Sequence, residues 1–171
     1  PKYTNWLNDL EVTISTTLYS RIIDMESENE ALIELKKGYN FAVRLIQTNE
    51  LIGSIGLNDL DLLHRNAELG ILIGSKNHWH QGYGQEAVNL LLDFTFNLLN
   101  FKNVYLKVME YNTPAIGLYE KIGFKEAGRL RKAHGINGKR YDILFMDILA
   151  EEFSSVYVGE IMKNRFEDEK K

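Results

Sequence analysis

Apolar residues recur at every second position at Phe41, Val43 and Leu45, and again at Ala67, Leu69 and Ile71, which is the period of a strand that buries one face. Short polar segments, Thr48-Asn49-Glu50 and His64-Arg65-Asn66, interrupt this alternation and have the composition of turns. We therefore predict an antiparallel meander of three strands. The strands run over residues 41–45, 51–57 and 67–73.

Ahead of this region the apolar residues lie three or four positions apart, which is the spacing of one helix face. The first fifteen residues predict an amphipathic helix, and residues 27–36 predict a second one. The inward residues are Trp6, Leu7, Leu10 and Ile14 in the first helix and Ala31, Leu32 and Leu35 in the second.

A longer helix is predicted over residues 84–99, after the third strand. A buried strand follows at residues 104–108, so this helix joins two strands as a βαβ crossover. The predicted buried stripe of the helix is Ala87, Leu90, Leu91, Phe94 and Leu98, and the residues predicted to face away are Asn89, Asp93 and Asn97.

The last third of the chain predicts a short helix over 113–121 and a hairpin of two strands, near 124–131 and over 141–149. Asn137-Gly138 is a typical hairpin turn between them. The elements together predict an α+β (mixed α/β) fold, with a single twisted, mostly antiparallel sheet and one βαβ crossover. Residues 1–171 are assigned to one domain, with 159–171 as a charged tail.

Composition limits the functions that this fold can serve. Hydrophobic residues make up 44% and charged residues 26% of the 171 positions, and no apolar run is long enough to cross a bilayer. Since there is no cysteine, a disulfide, a cysteine-ligated zinc and a thiol nucleophile are excluded. The net charge of −4 argues against neutralisation of nucleic-acid phosphates. It is compatible with a cationic substrate such as an amine, but taken alone it is better explained as the ordinary solubility charge of a protein. We expect a soluble, cytoplasmic protein without a nucleic-acid or membrane partner.

The segment Gln81-Gly82-Tyr83-Gly84-Gln85 lies between the third strand and the long helix. Glycines let backbone N–H groups approach a phosphate closely, and the positive end of a helix favours the same anion. The segment also fits the dinucleotide pattern G-x-G-x-x-A, or a helix-entry turn that binds nothing. A dinucleotide site is disfavoured because seven residues separate the turn from its strand, and because antiparallel strands precede it.

Further segments make a specific resemblance. Residues 67–74, 79–87 and 111–124 together resemble the GNAT superfamily of acetyl-CoA-dependent N-acetyltransferases. Residues 137–146 resemble its RimJ/RimL-like branch, which contains ribosomal-protein and spermidine acetyltransferases. Trp79 departs from the family, where Gln or Arg is frequent at this place. Family members also carry a strand before the first helix, whereas this sequence starts inside or just before that helix. Either the residues of that strand lie outside the given sequence, or the sheet lacks that edge.

The resemblance implies how acetyl-CoA, the expected co-substrate, would lie. Its pantetheine arm would bond to the backbone of Ile71, Leu72 and Ile73, as an added strand does. Its pyrophosphate would bind N–H groups of the glycine turn, and Asn112 would bond the pantetheine arm. The turn residues concerned are Gln81, Gly82, Tyr83, Gly84 and Gln85. Asn112 also fits the N-cap of the next helix, and the two roles are compatible.

Two residues are candidates for the chemistry. The resemblance assigns Tyr119 as the general acid for the departing thiolate, since a phenol keeps its proton at neutral pH; simple packing within its helix is the alternative. Glu68 is the candidate base, acting through water, because its side chain points opposite to buried Ala67 and Leu69. An ordinary solvent-facing glutamate is the alternative for Glu68, and Glu110 is a second carboxylate nearby.

The expected reaction is direct transfer of acetyl from acetyl-CoA to a primary amine, whether a protein N-terminus, a polyamine or another small amine. A non-catalytic acyl-CoA-binding regulator on the same fold is the alternative. No metal is expected, because His78 and His80 lack further ligands in their loop. The acceptor pocket is expected between residues 6–36 and 133–141, and we allow for a homodimer.

Overall fold

The computed structural model describes residues 2–16, 22–24, 26–27, 30, 33 and 38–166. The helix predicted over 27–36, with Ala31, Leu32 and Leu35, falls largely outside these residues. The strands are β1 (Asn40–Arg44), β2 (Leu51–Asp61), β3 (Asn66–Ile73), β4 (Asn103–Met109), β5 (Lys125–Ile136) and β6 (Lys139–Leu149). The helices are α1 (Lys2–Leu7), α2 (Leu10–Thr13), α3 (Tyr83–Asp93), α4 (Thr113–Ile122) and α5 (Val158–Phe166), with a 3-10 turn at Lys76–His78 and a π-helical turn at Phe94–Leu98.

The six strands form one sheet in the order β1-β2-β3-β4-β6-β5. Neighbours are antiparallel except β3 and β4, which are parallel and are joined through α3. A parallel pair needs such a crossover because the chain must return to the same end of the sheet before the second strand starts. The predicted fold class is confirmed, and β1 and β5 are the edge strands of the described sheet.

The core lies between one face of this sheet and the helices α3 and α4. Alternate residues of the central strands, such as Ala67 and Val104, are fully buried there. Val88 and Leu92 of α3 and Tyr119 of α4 belong to the same hydrophobic cluster. Each fully buried aliphatic side chain contributes about 1.5–3 kcal/mol, so this layer holds both helices firmly on the sheet.

The predicted N-terminal helix is divided into α1 and α2. Asp9 marks the break, because its carboxylate accepts a hydrogen bond from the N–H of Glu11 at 3.0 Å and so caps a new helix. The break changes the direction of the helix face. Of the four predicted inward residues, Trp6 and Leu7 are buried and Leu10 and Ile14 are exposed.

The long helix is present, but its predicted face is wrong at three positions. Regular α-helix stops at Asp93 and a π-helical turn continues over Phe94–Leu98, so the residues that follow no longer keep the 3.6-residue period. Leu98 is exposed, and Leu90 lies at a cavity beside β1 rather than in the core. Asp93, predicted to face away from the core, is only 1% exposed.

Asp93 is buried because the segment that leads into α5 packs over it. The N–H groups of Val156 and Tyr157 donate to its Oδ2 at 3.0 and 2.8 Å, and the Ser155 hydroxyl donates to Oδ1. A carboxylate only accepts hydrogen bonds, so these donors compensate for its removal from water. The helix α5 was not predicted, since the sequence suggested only a charged tail over most of its length.

The closing hairpin of β5 and β6 turns at Asn137-Gly138, as predicted. Both residues have positive φ, 49° and 71°, which is the conformation of a two-residue hairpin turn. The pairing of β5 with β6 is interrupted twice, between Glu126 and Gly128 and between Leu130 and His134. The second of these bulges lies beside the candidate site.

Candidate active site

The two parallel strands separate over the second half of their length. They pair at three positions, Asn66↔Asn103, Ala67↔Val104 and Glu68↔Tyr105. Beyond these, β3 continues to Ile73 and β4 to Met109 without pairing to each other. The opening, called the wedge below, leaves one edge of each strand to be satisfied by another molecule. It widens toward the carboxyl ends of the strands, where ligands bind to parallel strand pairs.

Ile71, Leu72 and Ile73 form the β3 side of the wedge. Their other edge is paired with residues 53–55 of β2. Since successive residues of a strand direct their N–H and C=O groups to opposite edges, this segment keeps backbone donors and acceptors on the wedge side. The geometry is the one that an extended pantetheine arm requires.

The glycine turn presents a row of unused backbone donors. Within the described chain the N–H groups of residues 81–85 donate to no acceptor, and the next one, of Glu86, donates to the Gly82 carbonyl at 3.0 Å. Gly82 is the N-cap of α3 with a φ of 88°, and His80 has a φ of 59°. Left-handed residues turn neighbouring N–H groups toward one side, and the helix N-terminus adds a positive field. This end of α3 has the geometry of a phosphate site.

Trp79, which stands where Gln or Arg is frequent in the family, contacts the end of β3 through its side chain. Its indole Nε1 donates to the carbonyl of Ile73 at 2.6 Å, so the aromatic side chain ties the loop to the last residue of β3. Gly84 lies where α3 approaches α4, and a Cβ at this position would be 3.3 Å from Cδ1 of Leu118. Together they hold the turn and the two helices at the open end of the wedge.

Asn112 caps α4 at the same end of the sheet. Its Oδ1 accepts a hydrogen bond from the N–H of Ala115 at 3.4 Å, so the N-cap role is present in the structure. Its side-chain NH₂ donates to no described residue. The same side chain can therefore cap the helix and donate to a ligand.

Tyr119 lies on the buried face of α4, with its ring 5.7 Å from that of Phe124. Burial disfavours the phenolate and raises the pKa of Tyr119 to about 12. The hydroxyl makes no hydrogen bond to a described residue. Among the described residues, every fully buried side-chain N or O atom has a hydrogen-bond partner. Since the Tyr119 hydroxyl has none, its oxygen is not fully buried and is accessible to solvent. A packed ring with an accessible, protonated hydroxyl fits both the packing role and the acid role.

Glu68 lies at the closed end of the wedge, at the last paired position of β3. Its Oε2 accepts a hydrogen bond from Nζ of Lys107 on β4 at 2.6 Å, and its side chain is 18% exposed. This hydrogen bond raises the pKa of Lys107. Glu68 is thus ion-paired rather than simply facing solvent, and its Oε1 has no partner among the described residues.

Glu110, the second carboxylate, is engaged with β6. Its Oε1 accepts a hydrogen bond from the N–H of Asp142 at 2.9 Å, and its own N–H donates to the Asp142 carbonyl at 3.1 Å. The residue extends the pairing of β4 with β6 beyond Met109. The contacts of Glu110 therefore stabilise the strand pairing beside the wedge.

Sequence reasoning missed a hydrogen-bonded group on the other face of the sheet. The hydroxyl of Tyr111 donates to the carbonyl of Ile14 at 2.6 Å and lies 3.0 Å from Nε2 of His134. Tyr141, whose ring centroid lies 4.8 Å from that of Tyr111, alternates along β6 with the core residue Leu144 and so faces away from the core. The one available signal was the position of Tyr111 directly before Asn112.

Other features of the surface lie away from the wedge. A cavity of about 440 Å³ lies between β1, β2 and α3, is lined mainly by apolar side chains, and reaches Tyr83 in the first turn of α3. No cluster of three or more His, Asp or Glu side chains suited to a metal ion occurs among the described residues. Within the same part of the chain, no helix has both the length and the apolar character needed to cross a membrane.

An open edge between two parallel strands, next to a helix N-terminus with unused N–H groups, is the arrangement expected of a protein that holds an extended phosphorylated coenzyme. A family model described as the acetyltransferase (GNAT) domain matches residues 1–125. The chain therefore belongs to the GNAT acetyltransferase family. The predicted family and the predicted acetyl-CoA-dependent N-acetyltransferase activity are confirmed.

Similar proteins include enzymes with named substrates. The spermidine N(1)-acetyltransferase of Vibrio cholerae is 35% identical over 138 residues, which are 75% of this chain and 79% of that protein. A second relative, p20 of Bacillus licheniformis, is described only as an uncharacterized N-acetyltransferase. It is 31% identical over 153 residues, 90% of this chain and 82% of that protein. The crystal structure of Vibrio cholerae spermidine N-acetyltransferase with CoA and spermine superimposes with a TM-score of 0.77 at 29% identity, covering 88% of this chain and 89% of that one.

Proposed function

We propose that this chain transfers the acetyl group of acetyl-CoA to a primary amine of a polyamine. One observation carries the coenzyme half of the proposal. The unpaired edge of β3 and the unused N–H groups of residues 81–85 lie at the same end of one parallel strand pair. A ligand that satisfies both needs an extended amide-containing arm attached to phosphates, and acetyl-CoA has that chemistry.

Two findings support a polyamine as the acceptor. The relatives described above include a spermidine acetyltransferase, and the similar crystal structure contains spermine. The chain also carries a net charge of −4, which attracts a polycation over long range. A protein N-terminus and other small amines are the competing acceptors for the same chemistry.

For coenzyme binding we assign the pyrophosphate to the N–H groups of Gln81, Gly82, Tyr83, Gly84 and Gln85. The backbone edge of Ile71, Leu72 and Ile73 would pair with the pantetheine arm, and the NH₂ of Asn112 would donate to it. These contacts come from backbone groups and one amide, so they position the thioester without introducing a charged side chain beside it.

For the chemistry we assign proton transfers to Glu68 and Tyr119. Glu68 accepts, through a water, the proton that the substrate ammonium loses before attack. The amine nitrogen then forms a bond to the carbonyl carbon and loses a second proton to solvent, and the carbon–sulfur bond breaks. Tyr119 donates its proton to the departing thiolate and regains one from solvent, so an amide and a free thiol are the products.

We further place the protein in the cytoplasm, where acetyl-CoA is available to an enzyme that consumes it. A homodimer is compatible with this proposal, since one chain supplies every residue assigned above.

The test combines binding with turnover. Thermal unfolding is followed with and without acetyl-CoA, and thiol release is measured with spermidine, spermine and a peptide that has a free N-terminus. Stabilisation by acetyl-CoA together with turnover of spermidine or spermine is the expected result. Turnover of the peptide alone would contradict the polyamine assignment. Stabilisation without turnover of any amine would instead indicate an acyl-CoA-binding regulator, and no stabilisation at millimolar acetyl-CoA would overturn the coenzyme site.

A further inference from the structure

Three distant parts of the chain meet at the open end of the wedge through one tyrosine hydroxyl. Tyr111 lies two residues after the end of β4, Ile14 follows α2, and His134 lies on β5. The group formed by the Ile14 carbonyl, the Tyr111 hydroxyl and the His134 imidazole is called the bridge below. Its two contacts measure 2.6 and 3.0 Å, both within normal hydrogen-bond range.

The proton positions within the bridge follow from the partners. A hydroxyl has one proton, and a carbonyl can only accept, so the Tyr111 proton is donated to Ile14. In the contact with His134, the imidazole Nε2–H is then the donor and the Tyr111 oxygen is the acceptor. The bridge is directional, from His134 through Tyr111 to the end of α2.

A bulge in β5 aims His134 into the bridge. Leu130 pairs with Ile143 and His134 pairs with Tyr141, so three residues of β5 stand opposite one residue of β6. Asp142 is the residue of β6 that lies opposite the bulge. It stabilises the bulge, because its Oδ1 accepts a hydrogen bond from the N–H of Lys132 at 2.8 Å. Bulges of this kind redirect side chains next to active sites, and His134 is buried although it lies on an edge strand.

The bridge lies on the face of the sheet opposite to α3 and α4. The helices α3 and α4 cover the core face of the wedge, and the side chain of Tyr119 is packed there. The opposite face carries α1 and α2, which are fastened to the sheet by the bridge and by the hydrogen-bonding contact of Tyr3 with Ser54 at 3.1 Å. An acceptor that approached the thioester from this face would pass the end of α2 and the bulge of β5.

We propose that Tyr111 and His134 are positioning residues for the acceptor amine. The bridge holds the end of α2 and the bulge of β5 at a fixed separation, and so sets the path along which the acceptor chain lies. This inference rests on the proposed acetyl transfer to an amine. It predicts that loss of the bridge weakens use of the acceptor while leaving acetyl-CoA binding intact, since the coenzyme groups belong to β3, the glycine turn and α4.

The first test is Tyr111→Phe, which keeps the ring on Tyr141 and removes the shared hydroxyl. The KM for spermidine is expected to rise about tenfold, and the KM and Kd for acetyl-CoA to stay within about twofold. Tyr157→Phe removes a phenol from the segment that covers Asp93 and serves as the matched control, with both constants unchanged. An equal rise in both KM values, or no change in either, would overturn the inference.

A rescue experiment guards against a purely structural effect. His134→Ala removes the donor, whereas His134→Gln retains an N–H donor that can reach the Tyr111 hydroxyl. The KM for spermidine should rise about tenfold in the first and stay within about threefold of the starting protein in the second, at equal stabilisation by acetyl-CoA. If both variants behave alike, the bridge is not the positioning device. If the unaltered protein acetylates no amine, the proposed function fails first and the inference fails with it.

Discussion

The two faces of the wedge are built in different ways. The proposed coenzyme face uses mainly backbone groups from one stretch of chain, from β3 to the first turn of α3, together with the side-chain amide of Asn112. The acceptor face depends on side chains from separate segments, and Tyr111 reaches across 97 positions to Ile14 and 23 to His134. Backbone sites depend on a local pattern of strand, glycine turn and helix, whereas a side-chain bridge depends on how remote segments meet. The first kind can be recognised in a sequence and the second cannot.

The two faces also differ in how well they tolerate amino-acid substitutions. Because N–H groups bind the same way whatever side chain they carry, the coenzyme face constrains few residue types beyond the glycines. The proposed acceptor face depends on the particular side chains present, so we expect a change there to alter use of the acceptor rather than the acetyl transfer itself. The predictions below separate these two kinds of dependence.

The largest effect is expected at Tyr119, the candidate general acid. Tyr119→Phe keeps the buried ring and removes the proton donor, so kcat should fall about 10²–10⁴-fold with the Kd for acetyl-CoA unchanged. Thiol release under saturating substrates measures the rate, and Tyr157→Phe is the control. Full activity of Tyr119→Phe at every pH would leave Tyr119 with a packing role only.

The raised pKa of Tyr119 makes a second, pH-dependent prediction. Since burial raises this pKa to about 12, the folded state favours the protonated phenol relative to the unfolded chain. The stability gained is therefore complete below the unfolded value of about 10 and is lost as the pH rises from there toward 12. Urea unfolding at pH 8 and pH 11 should show a smaller alkaline loss in Tyr119→Phe; an equal loss in both proteins would contradict the assignment.

A smaller effect is expected at Glu68. Glu68→Gln keeps the shape and removes the base, so kcat/KM should fall by about 10–100-fold, most strongly at low pH where the amine is fully protonated. Glu126→Gln is the matched control, because that carboxylate also forms an ion pair, with Arg129, but on the exposed edge strand. Should Glu68→Gln resemble the control, the residue serves only as the partner of Lys107.

A still smaller effect on the reaction is expected at Gly82, where a substitution should change the affinity for acetyl-CoA. Gly82 and Gly138 both have positive φ, 88° and 71°, and a Cβ at either would meet no atom within 4 Å. Replacement by Ala strains each backbone alike, by about 1–2 kcal/mol. Gly82→Ala should weaken acetyl-CoA binding about tenfold, as measured by calorimetry, whereas Gly138→Ala should lose only stability. Equal affinities in the two variants would argue against phosphate binding at the turn.

The smallest effect on the reaction is expected at Asp93, which belongs to neither face. Asp93→Ala leaves the N–H groups of Val156 and Tyr157 without their acceptor, so the free energy of unfolding should drop by about 2–4 kcal/mol. Chemical denaturation measures this loss. Below the unfolding transition, kcat and both KM values should match those of the unaltered protein, and a selective change in either KM would show that α5 communicates with the wedge.

Local patterns in the chain were sufficient for the fold class, for five of the six strand positions to within a few residues, and for the glycine turn. Strand alternation and helix spacing reflect which side chains leave water, and those preferences act over neighbouring residues. β5 is the exception, because it is longer than predicted. Its pairing with β6 resumes after the second bulge, so the strand ends at Ile136 rather than near residue 131. Asn112 as an N-cap was likewise readable, since capping involves residues three apart.

Tertiary contacts alone decided the remaining features. Asp93 looked like a surface residue until the segment at 155–157 packed over it, and Leu10 looked buried until the cap at Asp9 turned the helix. Glu68 acquired Lys107 as a partner because β3 and β4 are adjacent and parallel at that point. The wedge itself arises where this pairing stops. Each of these depends on the separation and direction of segments far apart in the chain, which no periodicity encodes.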